Sequence, residues 1–309
     1  MKKTLVTGGA GFIGSHIARA LLERGDQVRI LDNFATGKLD NIAGLDVELI
    51  EGDIRDPEVL AASLVDVDLV FHQAAFVSVP QSMDVPTACL DVNVNGTGML
   101  LEAAQKAGVK RVVFASSAAV YGEADAFPLT EQVPPEPFLS PYAASKRIDE
   151  IYAQLFTQSF GLEVTALRYF NVYGPRQAPD SQYAAAVPIF ISRMMNGQVV
   201  TINGDGGQTR DLIYVGDVAR ANLIAADSPA AVGGIFNICT GRETSILNLV
   251  ENLSEIFPDA PEPVFGPPRA GDIYRSVGSA QKAKDTFGFE AQTNLFDGMR
   301  LTAEWMKSQ

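Results

Sequence analysis

The segment Thr7-Gly8-Gly9-Ala10-Gly11-Phe12-Ile13-Gly14 limits the possible folds more than any other stretch of this chain. It satisfies G-x-G-x-x-G through Gly9, Gly11 and Gly14, and G-x-x-G-x-x-G through Gly8, Gly11 and Gly14. Lys2 to Thr7 before it reads as a short buried strand, and Phe12 to Arg24 after it reads as a helix. A side-chain-free turn from strand to helix lets backbone approach a pyrophosphate and aims a helix N-terminus at the anion. Gln27 to Asp32 follows as a second strand and ends on a carboxylate. A carboxylate there accepts the ribose hydroxyls of NAD and repels a 2′-phosphate.

The alternation continues with strands at Val47 to Glu51, Leu69 to His72, Arg111 to Ala115 and Glu163 to Tyr169. Helices are expected at Pro86 to Lys106 and Tyr142 to Phe160. Short apolar strands alternating with helices predict an α/β fold, a Rossmann-type doubly wound parallel sheet covered on both faces. Beyond Gly174 the pattern loosens. Pro175 to Ser181 is turn-rich, Val187 to Met195 helical, Asp211 to Val215 a strand and Val218 to Ala226 a helix. Ile246 to Ile256 and Leu295 to Met306 are helical as well. The expected division is a NAD-binding domain over 1–171 and a smaller C-terminal α/β substrate lobe over 172–309. The chain should return to the first domain around 210–238.

Charge and cysteine usage exclude several classes. Lys and Arg number 24 against 37 Asp and Glu, a net charge of −13. No basic field exists for nucleic acid, and an anionic substrate would need local arginines. Lys2 and Lys3 imitate a signal start, but Gly8, Gly9 and Gly11 break the apolar run, so neither secretion nor a membrane span is expected. Cys89 and Cys239 lie among apolar residues and read as buried free thiols of a reducing cytoplasm. With His16 and His72 they do not form a usual zinc spacing, and no metal is expected.

Tyr142-Ala143-Ala144-Ser145-Lys146 is Y-x-x-x-K, which puts phenol and ammonium on one helical face. The ammonium should lower the phenol pKa toward neutrality, with a nicotinamide ring pushing the same way, and fit it for general-base work. Ser116 and Ser117 end the strand before this helix, at the carboxyl edge where open α/β folds bind ligands. Asp53-Ile54 and Gln73-Ala74-Ala75 end two further strands at that edge; the first could bracket an adenine.

The motifs TGGAGFIG, LDN, GDI, HQAA, NVNGT, SSAAVYG, YAASK, RYFNVYGP, RDLIYVGDVA and RAGD occur in this order over nearly the whole chain. In them the chain resembles the extended short-chain dehydrogenases/reductases, in the branch of NAD-dependent sugar-nucleotide epimerases and dehydratases. The resemblance implies tightly bound NAD and the catalytic set Ser117, Tyr142 and Lys146. It places Gly8, Gly11, Phe12, Ile13, Gly14, Asp32, Asn33, Asp53, Ile54, Gln73, Ala74, Ala75, Asn93, Ser116, Tyr142, Lys146 and Phe170 at the cofactor. Ser78, Ser117, Asn171, Tyr183, Val187, Arg210, Arg269, Asp272 and Ser276 would face a UDP-sugar, the two arginines gripping its diphosphate.

Within that branch the residues after the catalytic serine discriminate. Dehydratases carry an Asp-Glu pair there and decarboxylases a glutamate, whereas this chain has Ala118-Ala119. Glu123 and Glu131 are expected on a solvated loop. The reading is a 4-epimerase of UDP-hexoses, plain and N-acetylated, working through a 4-keto intermediate. The alternatives are a related dehydratase or reductase, or a non-catalytic NAD-binding protein. The resemblance also implies a homodimer through the helices Pro86 to Lys106 and Tyr142 to Phe160, whose apolar surplus includes Leu100, Leu101, Ile151, Leu155 and Phe156.

Overall fold

The computed structural model describes residues 2–134, 137–179, 186–268 and 273–309. The large sheet is built from β1 (Lys3–Thr7), β2 (Gln27–Asp32), β3 (Val47–Glu51), β4 (Leu69–His72), β5 (Arg111–Ser117) and β6 (Glu163–Tyr169). Four short strands intervene: β7 (Asn171–Tyr173), β8 (Thr201–Asn203), β9 (Thr209–Arg210) and β10 (Leu212–Tyr214). Then β11 (Ile235–Ile238) closes one edge of the large sheet, whose order is β11-β6-β5-β4-β1-β2-β3. Every pairing in it is parallel. The order reverses between β1 and β4, and the crevice beyond those strand ends is where open α/β sheets bind ligands.

One face is covered by α1 (Phe12–Glu23), α8 (Val215–Asp227) and α10 (Gln281–Phe287), with a core containing Val6, Ile17, Leu21, Ile30, Phe71 and Phe236. The other face carries α2 (Pro57–Ser63), α5 (Gly96–Lys106) and α6 (Pro141–Phe160) around Leu5, Val70, Leu100, Phe114 and Val164. Burial on both faces is why the strands read as continuous apolar runs. Pro141 at the first turn and Ser140, whose hydroxyl accepts from Ala143 N at 3.1 Å, start α6. Gly161 in the left-handed region stops it.

A second core lies under α7 (Ala186–Met195), α9 (Ile246–Ile256) and α11 (Leu295–Lys307), through Phe190, Ile191, Leu249, Leu253 and Met299. Around it β7 pairs with β10, β8 with β13 (Val264–Gly266), and β9 lies between β12 (Thr244–Ser245) and β14 (Arg275–Ser276). Among the described residues no helix is long and apolar enough to cross a membrane.

The sequence reading of one helix over Pro86 to Lys106 needs correction. The chain forms α4 (Pro86–Leu90), a wider π turn over Asp91–Asn95, and then α5. That turn carries Asn93, a pattern typical of π turns at functional sites. Two short helices escaped notice: α2, capped by Asp56, and α3 (Val79–Asp84), capped by Ser78.

Candidate active site

The glycine turn joins β1 to α1. Gly8 has φ +67°, and a Cβ on it would lie 2.6 Å from Ala74 N; one on Gly14 would lie 2.2 Å from the Gly8 carbonyl oxygen. Only hydrogen fits at either place. No side chain caps α1 at Gly11, so its first amides are left for an anion. Asp32 turns back onto this loop, its carboxylate accepting from Ala10 N at 2.9 Å and Phe34 N at 2.8 Å. Burial raises its pKa, and those two amides oppose the rise. Asn41 Nδ2 donates to the Ala10 carbonyl at 2.8 Å and fastens the loop after β2 over the glycine turn. Sequence reasoning passed over Asn41, whose partner is a distant backbone atom.

Asn33 Nδ2 donates to Asp53 at 2.9 Å on the rim. Arg55 hydrogen-bonds Asp53 at 2.8 Å and holds its carboxyl far below the usual range. Ile54 turns inward and is 4% exposed, so its side chain serves the core. Phe12 and Ile13 are half-buried in the first turn of α1, and Ala74 and Ala75 are half-buried beyond β4. Gln73 Oε1 lies 3.3 Å from Tyr169 Oη, while its buried Nε2 has no partner among the described residues. An orphaned buried donor beside a glycine cradle fits a bound dinucleotide.

Tyr142 is the second residue of α6, with Lys146 one turn on and Ser117 at the end of β5. Ser117 hydrogen-bonds the Tyr142 phenol and also accepts from Ala119 N at 3.1 Å. The expected depression of the phenol pKa is not found in the free chain. Burial pushes Tyr142 up to about 12, the Ser117 hydrogen bond opposes this, and Asp149 and Cys89 push it further. Burial also lowers Lys146, which is 3% exposed.

Other predicted cofactor residues are placed differently from one another. Ser116 donates to Glu150 Oε1 at 2.6 Å and is 2% exposed, so its hydroxyl is committed. Asn93 is fully buried, its amide donating to Ser145 Oγ at 2.9 Å and the Phe76 carbonyl at 3.1 Å, its oxygen accepting from Phe76 N at 2.7 Å. It ties the strand end after β4 to α6. Phe170 is buried against Tyr121 and Cys239.

On the substrate side, β14 runs parallel to β9 with Ser276 paired to Arg210. Both are half-buried, and Arg210 Nη1 donates to the Thr209 carbonyl at 2.7 Å. Asn171 Nδ2 reaches the Asp211 carbonyl at 3.4 Å. Ser78 caps α3, its hydroxyl accepting from Gln81 N at 3.1 Å. Val187 is 1% exposed inside the second core, which leaves its side chain no free face. Tyr183, Arg269 and Asp272 lie outside the described residues.

Asp211, also passed over, accepts from Thr240 N and Oγ1 (2.8 and 2.7 Å), Gly241 N (2.9 Å) and Gly278 N (3.3 Å). It clamps the strand that carries Arg210 to the end of β11 and to the segment after Ser276. Ala118 and Ala119 occupy a 3₁₀ turn after Ser117. Glu123 is exposed as expected, but Glu131 accepts from Asn237 N at 2.6 Å and is half-buried, so it belongs to the sheet edge.

A glycine cradle, a carboxylate on the second strand and a Ser/Tyr/Lys cluster at the crevice define a dinucleotide-dependent enzyme of the short-chain dehydrogenase/reductase type. Residues 4–239 match the NAD dependent epimerase/dehydratase family, and the chain belongs to it. Membership carries NAD dependence with it. A putative UDP-glucose 4-epimerase of Methanocaldococcus jannaschii is 42% identical over 98% of both chains. Thermotoga maritima UDP-glucose 4-epimerase, solved with UDP-glucose, matches at 42% identity and TM-score 0.94 over 99% of both chains. A UDP-N-acetylglucosamine 4-epimerase of Methanobrevibacter ruminantium, solved with UDP-N-acetylmuramic acid, matches at 39% identity and TM-score 0.95, over 100% of this chain and 99% of that one. Relatives include a UDP-N-acetyl-alpha-D-glucosaminuronate decarboxylase of Bacillus cytotoxicus, 33% identical over 99% of this chain and 98% of that protein.

Proposed function

We propose that this protein interconverts UDP-hexoses at C4, acting on UDP-glucose and UDP-galactose and on their 2-N-acetyl counterparts. The observation that carries the reading is the pair Ala118-Ala119 directly after Ser117. Neither methyl group moves a proton, so the proton chemistry falls to Ser117, Tyr142 and Lys146. A relative that decarboxylates gives a second enzyme reading, and the same two alanines count against it.

The glycine turn would take the cofactor pyrophosphate, Asp32 a ribose, and Asn33 with Asp53 the adenine rim. When bound, NAD supplies the acceptor and return donor of a hydride at sugar C4. Tyr142, as phenolate, accepts the proton of the sugar 4-hydroxyl and later returns it; Lys146 stabilises that phenolate and Ser117 orients the hydroxyl. The 4-keto sugar turns about its diphosphate, held by Arg210 and Arg269, so that its other face is presented. No net oxidation results. Residues 172–309 supply most of the sugar-nucleotide contacts in this account.

Size at Ser276 supports the N-acetyl activity. By family resemblance, the residue four places after Asp272 borders the sugar 2-substituent. Its pairing with Arg210 sets Ser276 beside a proposed diphosphate ligand. A serine leaves room for an N-acetyl group that a phenol ring would fill. Ser276→Tyr should cut turnover of UDP-N-acetylglucosamine at least tenfold, while UDP-glucose turnover stays within about twofold, a steric exclusion worth about 1.4 kcal/mol or more. Wild-type protein that turns over UDP-glucose but not UDP-N-acetylglucosamine would overturn the pocket argument.

A further inference from the structure

Lys146 and Asp149 are three residues apart on the inward face of α6, and their side chains are 4% and 1% exposed. Lys146 Nζ lies 3.8 Å from Asp149 Oδ2, close enough for an ion pair and too far for a good hydrogen bond. Asp149 Oδ2 is buried with no hydrogen-bond partner among the described residues. The neighbouring carboxylate is accounted for: Glu150 accepts from Arg168 Nε (2.7 Å) and Nη2 (2.8 Å), Ser116 Oγ (2.6 Å) and Arg147 Nη1 (3.2 Å). Among the described residues Asp149 therefore has one cationic counterpart, the lysine one helical turn from the Tyr142 phenol.

We propose that Asp149 is a positioning residue that keeps Lys146 charged inside the buried site and thereby sets the alkaline limit of activity. The proposal rests on the epimerase reading given above. An unpaired ammonium in such a place loses its proton easily, because burial penalises the charged form. The other groups acting on Lys146 are Cys89 of α4 and Glu150 of α6. His72 of β4 faces it too and is held neutral, pushed down to about 3 by burial first and Lys146 second. Cys89 is held protonated by burial, and Glu150 is engaged by Arg168. Asp149 itself is pushed up to about 7 by burial, with Lys146 opposing.

The test compares NAD-loaded wild type and Asp149→Asn in pH profiles of kcat with UDP-glucose. An opposite charge at this range shifts a pKa by roughly 1–3 units, so the alkaline limb of Asp149→Asn should move that far toward acid, with KM within about twofold. Asp149→Glu should restore most of the wild-type limb. An Asp149→Asn enzyme that is less heat-stable but keeps the wild-type limb would reduce Asp149 to a structural role and overturn the proposal. A direct readout is the Lys146 ¹³Cε signal in labelled protein, assigned through Lys146→Met. Its midpoint should lie roughly 1–3 units lower in Asp149→Asn than in wild type, and Asp149→Glu should bring it back. An unchanged midpoint would overturn the proposal; should Asp149→Asn not fold, Asp149→Ser takes its place in the same comparison. If wild type lacks epimerase activity while the midpoint shifts, the failure belongs to the proposed function and the ion pair stands.

Discussion

His16 and His72, the chain's two histidines, serve the cofactor crevice as packing and hydrogen-bonding groups. His72 bridges Thr7 Oγ1 (2.7 Å) and Thr97 Oγ1 (2.9 Å), joining β1 to α5 beneath the glycine turn. His16 Nε2 lies 2.9 Å from the Pro175 carbonyl and ties α1 to the segment after β7. Burial pushes His16 down to about 4, the Pro175 contact opposes, and Arg176 and Arg19 assist. Its folded pKa is below its unfolded value near 6.5, so the unfolded chain binds more protons. The stability it contributes is complete above pH 6.5 and is lost as pH falls toward 4. His16→Gln should flatten the pH dependence of urea-unfolding free energy in that window by about 1.4 kcal/mol per pH unit, one proton's worth. An unchanged slope would mean that His16 is not held neutral. At this scale the sequence was informative where chemistry is local. Tyr142 and Lys146 are one helical turn apart, and that spacing alone puts them on a common face. Ser116 and Asn93 were harder to place, because their partners Glu150 and Ser145 are brought close only by packing.

At the scale of elements, the long strands and helices were legible because each repeats its apolar period over several residues. Two- and three-residue strands such as β9, β12 and β14 carry no such period, so only the fold reveals that Ser276 lies beside Arg210. The helices α5 and α6 also correct one expectation. Leu100 and Leu101 are buried within the subunit and leave nothing for a partner. Ile151 and Leu155 stand exposed as expected and Phe156 is half-buried, while Leu90, Tyr152 and Phe160 complete the exposed apolar face, flanked by Gly98 and Met99. Tyr152 and Leu155 are 41% and 45% exposed, and Phe160 is 52% exposed. We propose that this patch is an interface between two copies of the chain. A second copy packing α5 and α6 against their counterparts in a four-helix arrangement would cover it. We expect wild type to sediment as a dimer and Ile151→Glu to sediment as a monomer, since one buried unpaired carboxylate on each side disfavours association. A concentration-independent monomer in wild type would refute this arrangement.

For the whole molecule, local placement reconciles a net charge of −13 with the anionic substrate proposed above. The glycine turn offers backbone amides, and Arg210 lies on a strand clamped by Asp211. The parallel sheet covered on both faces follows from the alternation of strands and helices that the sequence displays, and the structure adds its strand order and switch point. The form of the second core does not, since it depends on contacts between residues as far apart as Tyr173 and Met299. The central claim is that Tyr142 carries a proton to and from the sugar 4-hydroxyl without net oxidation. The most direct measurement is ¹H NMR of UDP-glucose incubated with the NAD-loaded protein, wild type and Tyr142→Phe side by side. Wild type should produce UDP-galactose up to a fixed equilibrium ratio, with no other sugar accumulating. Tyr142→Phe should retain its cofactor and slow by roughly 10²–10⁴-fold, the usual contribution of general acid–base catalysis. A dehydrated, decarboxylated or 4-keto product, or near-normal turnover by Tyr142→Phe, would contradict the account.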